Sequence, residues 1–153
     1  MSNTDPVNSE ILETLAPCGL NCRKCIYNSN GEIRELSSRL KERLGNFAPY
    51  AERFSIGTPV LRGYKEFHDI LDFMSEGDCR GCRHGGCKFP GCNVLSCTSG
   101  KGIDFCYQCS EFPCERSGLQ GGLKERWNRM NSRMKESGAE GYYKDSMNEP
   151  RYV

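Results

Sequence analysis

Eight cysteines fall within the 36 residues from Cys79 to Cys114. Nothing else in the chain limits its fold so strongly. The stretch GDCRGCRHGGCKFPGCNVLSCTSGKGIDFCYQCSEFPCERSG separates its cysteines by glycines, prolines and short polar loops. Three further cysteines stand near the start in CGLNCRKC, bringing the total to 11. A lone cysteine is ordinarily a small buried apolar residue. A block this dense calls for cross-linking or metal.

The spacing favours metal. Cys22-x2-Cys25, Cys79-x2-Cys82 and Cys106-x2-Cys109 are two-cysteine knuckles, in which both sulfurs can turn toward one ion. Zinc takes four such ligands in a tetrahedron at about 2.3 Å. Cys87, Cys92, Cys97 and Cys114 supply additional ligands. Eleven cysteines make two four-cysteine sites with three ligands over, so two or three zinc ions are expected. One partition draws both sites from the dense block and leaves Cys18, Cys22 and Cys25 needing a fourth group: His84, a borrowed cysteine or water. Another pairs the N-terminal knuckle with Cys106, Cys109 and Cys114. Spacing alone does not choose between them. His84 reads as an exposed loop histidine as readily as a ligand, and His68 as a partly buried histidine on a helix. Arg80, Arg83, Lys88 and Lys101 lie where they could offset thiolate charge.

Composition agrees that something besides an apolar core holds the chain. Leu, Ile, Val and Phe number only 28 of 153 residues, while the net charge is +1. Low apolar content predicts disorder only when paired with high net charge. Structural zinc sites in small peptides bind with about 10–16 kcal/mol, against a net domain stability of about 5–15 kcal/mol. One or two such sites would decide whether this chain folds. The opening segment MSNTDPVNSEILETLAP lacks a basic region followed by an apolar one, so no signal peptide is visible and a cytoplasmic location is expected. Reducing compartments favour metal over disulfides, and an odd cysteine count leaves one thiol outside any intramolecular disulfide set. No apolar run approaches the roughly 18 residues a membrane span needs.

The pattern predicts a small, mostly α domain: two to three helices flanking an irregular, zinc-stapled core with short β-ribbons at the knuckles. The expected divisions are a flexible tail over 1–14, a single metal-binding domain over 15–146 and a C-terminal tail over 147–153. Ser29-Asn30-Gly31-Glu32 resembles a capping box. Ile33, Leu36, Leu40 and Leu44 follow on one helical face, with Gly45 as the stop. Thr58-Pro59 opens a second helix, striped by Tyr64, Phe67, His68, Leu71 and Met74 and ended by Gly77. A third carries Leu119, Leu123, Trp127, Met130 and Met134 as core, with Gly138 beyond it. GIDFCYQC is a candidate ribbon strand.

Combined, these motifs resemble an uncharacterised cysteine-rich family of bacteria and archaea, a domain of unknown function. Its pattern is Cys-Gly-Leu-x-Cys-x2-Cys, a later Cys-x2-Cys, then Cys, four residues, Cys, Lys-Gly, Cys-x2-Cys and Glu-Phe/Tyr-Pro-Cys. Here the later positions are Cys92, Cys97, Lys101-Gly102, Cys106, Cys109 and Glu111-Phe112-Pro113-Cys114. The residues after Cys92 are Asn-Val-Leu-Ser, lacking the basic residue usual there. The resemblance implies metal binding, with zinc the expected ion, and no known reaction.

Function then follows by elimination. Cys18-x3-Cys22-x2-Cys25 has the spacing of a radical S-adenosylmethionine cluster, but Lys24 stands where such enzymes commonly carry an aromatic residue. The helix-and-loop pattern also cannot supply their partial β/α barrel. An iron–sulfur protein in electron transfer remains the alternative, since all-cysteine ligation suits clusters too. A zinc enzyme would need one open position holding water, or a cysteine–histidine nucleophile pair. No HExxH or HxE…CxxC pattern occurs, so catalytic residues stay unassigned. Arg126, Arg129 and Arg133 read as a solvated helix face, and the near-zero net charge argues against nucleic acid. The expectation is a zinc-stapled module that binds a protein partner.

Overall fold

Glu32–Leu44 forms helix α2, as the leucine spacing predicts, and Gly45 ends it at φ 50°. The helix does not begin with a capping box. Gly31 is its N-cap, without a side-chain hydrogen bond, because the Ser29 hydroxyl is engaged elsewhere, donating to the Cys79 carbonyl at 3.3 Å. In this computed structural model, which describes residues 7–85 and 87–153, α2 belongs to a helical unit running from Cys25 to Cys79. Its other helices are α3 (Ala48–Phe54) and α4 (Tyr64–Glu76), the latter preceded by a 3-10 turn over Pro59–Gly63.

Small residues let α2 and α4 approach each other. Ser37 and Ser75 are buried between larger neighbours, and the Ser38 hydroxyl donates to the Ser75 carbonyl at 3.4 Å. Lys41 pairs with Asp72 at 2.7 Å. Phe47, Tyr50, Phe54 and Tyr64 form an aromatic cluster beside them, with Phe47 and Tyr64 edge-to-face at 5.2 Å. The two ends of the unit meet at its base. Asp78 N–H and Cys79 N–H both donate to Tyr27 O, and Ser29 N–H donates to Cys79 O at 2.9 Å. Gly77 makes this closure possible. Its φ is +57°, and a Cβ there would stand 2.8 Å from Asn28 O, too close for any other residue.

The second unit comprises the segment up to Lys24 and residues 80–153. It contains α1 (Ser9–Thr14), α5 (Cys82–Gly85), α6 (Val94–Lys101) and α7 (Gly121–Asn148). Helix α1 lies where a tail was expected. Asn8 caps it, its Oδ1 accepting from Glu10 N–H at 2.9 Å, and Ile11 and Leu15 are buried against Phe105, Met130, Met134, Ala139 and Tyr142. The remainder of that predicted tail, residues 1–6, falls outside the described residues. At the other end, α7 runs into the expected C-terminal tail as far as Asn148.

Helix α7 organises this unit. Trp127, Met130 and Met134 are buried, as their stripe predicts, whereas Leu123 is exposed. Gly138 breaks the helix at φ 73°, ψ 168°. A straight helix would place Glu149 about 24 Å from Arg133. Arg133 instead reaches Glu149 at 2.7 Å and Asp145 at 3.5 Å, so the chain turns back at Gly138.

Among the described residues the helices number seven rather than two or three, and β pairing is confined to the isolated bridges Leu15↔Asn21 and Asn28↔Cys79. GIDFCYQC is not a strand. Gln108 Oε1 accepts from the N–H groups of Asp104 and Phe105 at 2.8 and 2.9 Å, and Cys106–Gln108 winds into a 3-10 turn. These amides are satisfied locally, leaving none of them to build a ladder. No helix among the described residues is long and apolar enough to cross a membrane.

Candidate metal centre

The last four cysteines come together. Cys97 rides on α6, while Cys106 and Cys109 flank the 3-10 turn, where Cys109 N–H donates to Cys106 O at 3.0 Å. These three and Cys114 line one cavity of about 20 Å³, together with Thr98, Lys101, Glu111, Phe112 and Trp127. That volume suits a single water-sized occupant. Lys101 Nζ donates to Cys109 Sγ at 3.2 Å and is paired with Glu111. The Cys109 thiol is held below its ordinary pKa, first by the backbone N–H of Glu111 and then by Lys101. Burial pushes the Cys106 thiol up to about 11, opposed by the Trp127 indole.

Five others form a second group in the same unit. Cys18 lies within electrostatic reach of Cys22, Cys87 and Cys92, and Cys82 within reach of Cys18, Cys22 and Cys87. Cys22 and Cys82 share a hydrogen bond that lowers Cys22 to about 6 and raises its partner. Burial raises Cys18 to about 12. Arg83 is held beside this group by its bonds to Leu15 O at 3.3 Å and Asp104 O at 2.8 Å. The two groups meet one apolar cluster, Val94, Cys106 and Trp127, against which Cys18, Cys92 and Cys114 all pack. Cys25 and Cys79 belong to the other unit, at its first and last residues.

The donor chemistry of the Cys97, Cys106, Cys109 and Cys114 set fits a soft divalent ion such as zinc. Ligand geometry is not assembled: among the described residues no three His, Cys, Asp or Glu side chains stand ready to hold an ion. The histidines are occupied elsewhere. His84 Nε2 lies 2.6 Å from Glu13 Oε2 and His68 Nδ1 lies 3.2 Å from Asp72 Oδ2.

Two residues that are not cysteines hold this geometry together. Asn131, fully buried, donates through Nδ2 to Cys18 O at 2.9 Å and Trp127 O at 3.0 Å. Its Oδ1 accepts from Tyr107 N–H at 3.0 Å. One side chain thereby ties the first cysteine segment and the Cys106 turn to α7. Gly19 permits the contact from the other side: its φ is +95°, and a Cβ would meet Met134 Cε at 2.8 Å. Gly19 stands within the CGLNC motif, whereas Asn131 showed in the sequence only as an asparagine inside the methionine stripe of α7.

Fold and site together define a mostly α-helical, cysteine-rich protein. Residues 14–118 match the family described as "Protein of unknown function (DUF3795)", and the chain belongs to that family. Comparison with curated proteins and with solved structures found no match.

Proposed function

We propose that this protein is a zinc-binding module whose metal sites are structural and whose helical unit engages a partner protein. The observation that carries the reading is the set Cys97, Cys106, Cys109 and Cys114 around one cavity of about 20 Å³. Cys97, Cys106, Cys109 and Cys114 would hold one ion there, and the ion would supply folding energy to a unit with a small apolar core. A cavity of that size favours a single ion over an iron–sulfur cluster. Four thiolates also leave a zinc ion no open position for water, and pairing with Glu13 and Asp72 takes both histidines away from a thiol. These points support a structural rather than a catalytic role.

The partner surface is supported by exposed apolar side chains. Ten large ones are exposed between Tyr27 and Phe73, including Leu36, Leu40, Ile56, Val60 and Ile70. Apolar surface concentrated in this way commonly marks an interaction face.

The test is metal content per chain, measured with an absorption spectrum on protein purified without air or chelator. Two or three zinc ions in a colourless solution are expected. Iron with sulfide in a brown solution would replace this reading with electron transfer.

A further inference from the structure

The cavity bounded by Cys97, Cys106, Cys109 and Cys114 is lined by Trp127 and Lys101 as well as by these cysteines. Trp127, the single tryptophan of the chain, is 1% exposed. Its indole Nε1 is buried without a hydrogen-bond partner of ordinary geometry. A buried, unpaired donor is a costly arrangement that folded proteins rarely keep. The ring is fixed by Phe112, edge-to-face at 5.0 Å, and packs directly on Cys106. Lys101 Nζ already lies 3.2 Å from Cys109 Sγ.

We propose that Trp127 Nε1 and Lys101 Nζ are N–H···S donors that complete the four-cysteine site, one on Cys106 and one on Cys109. The inference rests on the metal-binding reading above. Its chemistry is that of charge. A divalent ion with four thiolates carries a net charge of about −2, in a pocket that Trp127, Phe112 and Ile103 keep apolar. A sulfur that stays a weak acceptor as a thiol becomes a strong one as a metal-bound thiolate. The Trp127 indole packs on Cys106, the sulfur whose strength as an acceptor a bound ion would raise. Lys101 contributes its charge as well as its N–H, and Glu111 holds it in place. Both side chains act through the ligands, as positioning residues.

The experiment uses the full chain, stripped of metal without air and titrated with cobalt(II). The near-ultraviolet sulfur-to-cobalt band, the metal affinity and the circular dichroism are followed in wild type, W127F, K101M and K101R. Loss of an outer donor typically weakens metal binding about 10–100-fold. W127F is expected to weaken cobalt binding by about tenfold and to shift the charge-transfer band. K101M is expected to do the same to a smaller extent, and K101R to restore wild-type behaviour. Because W127F removes a buried ring, a measurement on wild type stands beside it: the indole N–H proton resonance, with and without cadmium. It is expected to move downfield on loading and to exchange more slowly with solvent. An indole resonance that does not move, or a band and affinity unchanged in both W127F and K101M, would overturn the proposal while leaving metal binding intact. A wild-type chain that gives no sulfur-to-cobalt band would overturn both.

Discussion

The two units of this chain solve the same problem with different materials. Between Cys25 and Cys79, helices α2 and α4 approach over serines and an aromatic cluster, while most large apolar side chains face outward. In the other unit Ile11, Leu15, Phe105, Met134 and Trp127 are nearly inaccessible, yet the loops they support are irregular and thick with thiols. Helices satisfy their own backbone and need only one packed face. A segment such as Cys82–Cys114 has neither long helix nor sheet and must be held by side chains. On the proposed function, dependence on metal should therefore be uneven along the chain.

The largest effect that would break this contrast is a collapse of both units together on stripping with a chelator. The expected outcome is loss of amide-exchange protection across residues 92–118, with protection retained in α2 and α4. Equal loss in both would show the helical unit to depend on the same metal. Next comes Asn131→Ala, which leaves Tyr107 N–H and Cys18 O without their partner. It should cost about 3 kcal/mol, read by denaturant unfolding, with the cysteine-rich unit affected first. Gly77→Ala tests the other unit, forcing a Cβ to within 2.8 Å of Asn28 O at positive φ. About 2 kcal/mol of destabilisation is expected, seen as faster exchange at Asp78 and Cys79.

The smallest effect concerns the return of α7. Arg133 and Glu149 remain 37% and 49% exposed, so solvent screening holds the contribution of their pair below about 1 kcal/mol. The ion pair with Arg133 lowers the Glu149 carboxyl from 4.5. A depressed carboxylate stabilises the fold above its unfolded pKa and loses that contribution as pH falls through the folded value. Arg133→Ala should thus lower Tm slightly at pH 7 and not at all in strong acid, and high salt should shrink the difference.

Helix α2 and the buried stripe of α7 were legible in the sequence because each couples apolar periodicity to a glycine at or near its end. Helix α6 was not. VLSCTSGK has no apolar stripe, and Thr98 bonds back to Val94 O at 3.0 Å. Helix α1 hid inside a polar segment because its stability comes from distant residues, Met130 and Met134 above all. Density and spacing marked the cysteines as candidate ligands, but their grouping could not be read from the sequence. Cys97 joins Cys106, Cys109 and Cys114 because α6 and the 3-10 turn fold over Trp127, a tertiary fact that spacing does not encode. His84, a candidate ligand by spacing, went instead to Glu13.

Helix α7 also redraws the boundary of the domain. The family match ends at residue 118, before Trp127, Asn131 and Tyr142. A fragment cut to the matched residues would keep every cysteine and yet uncover Leu15 and Phe105, strip Cys18 O and Gly19 O of their donors, and remove one wall of the four-cysteine cavity. Homology here marks the residues that recur, while the piece that folds is longer. Anyone shortening this protein for study should count α7 as part of the cysteine-rich folded unit rather than as its tail.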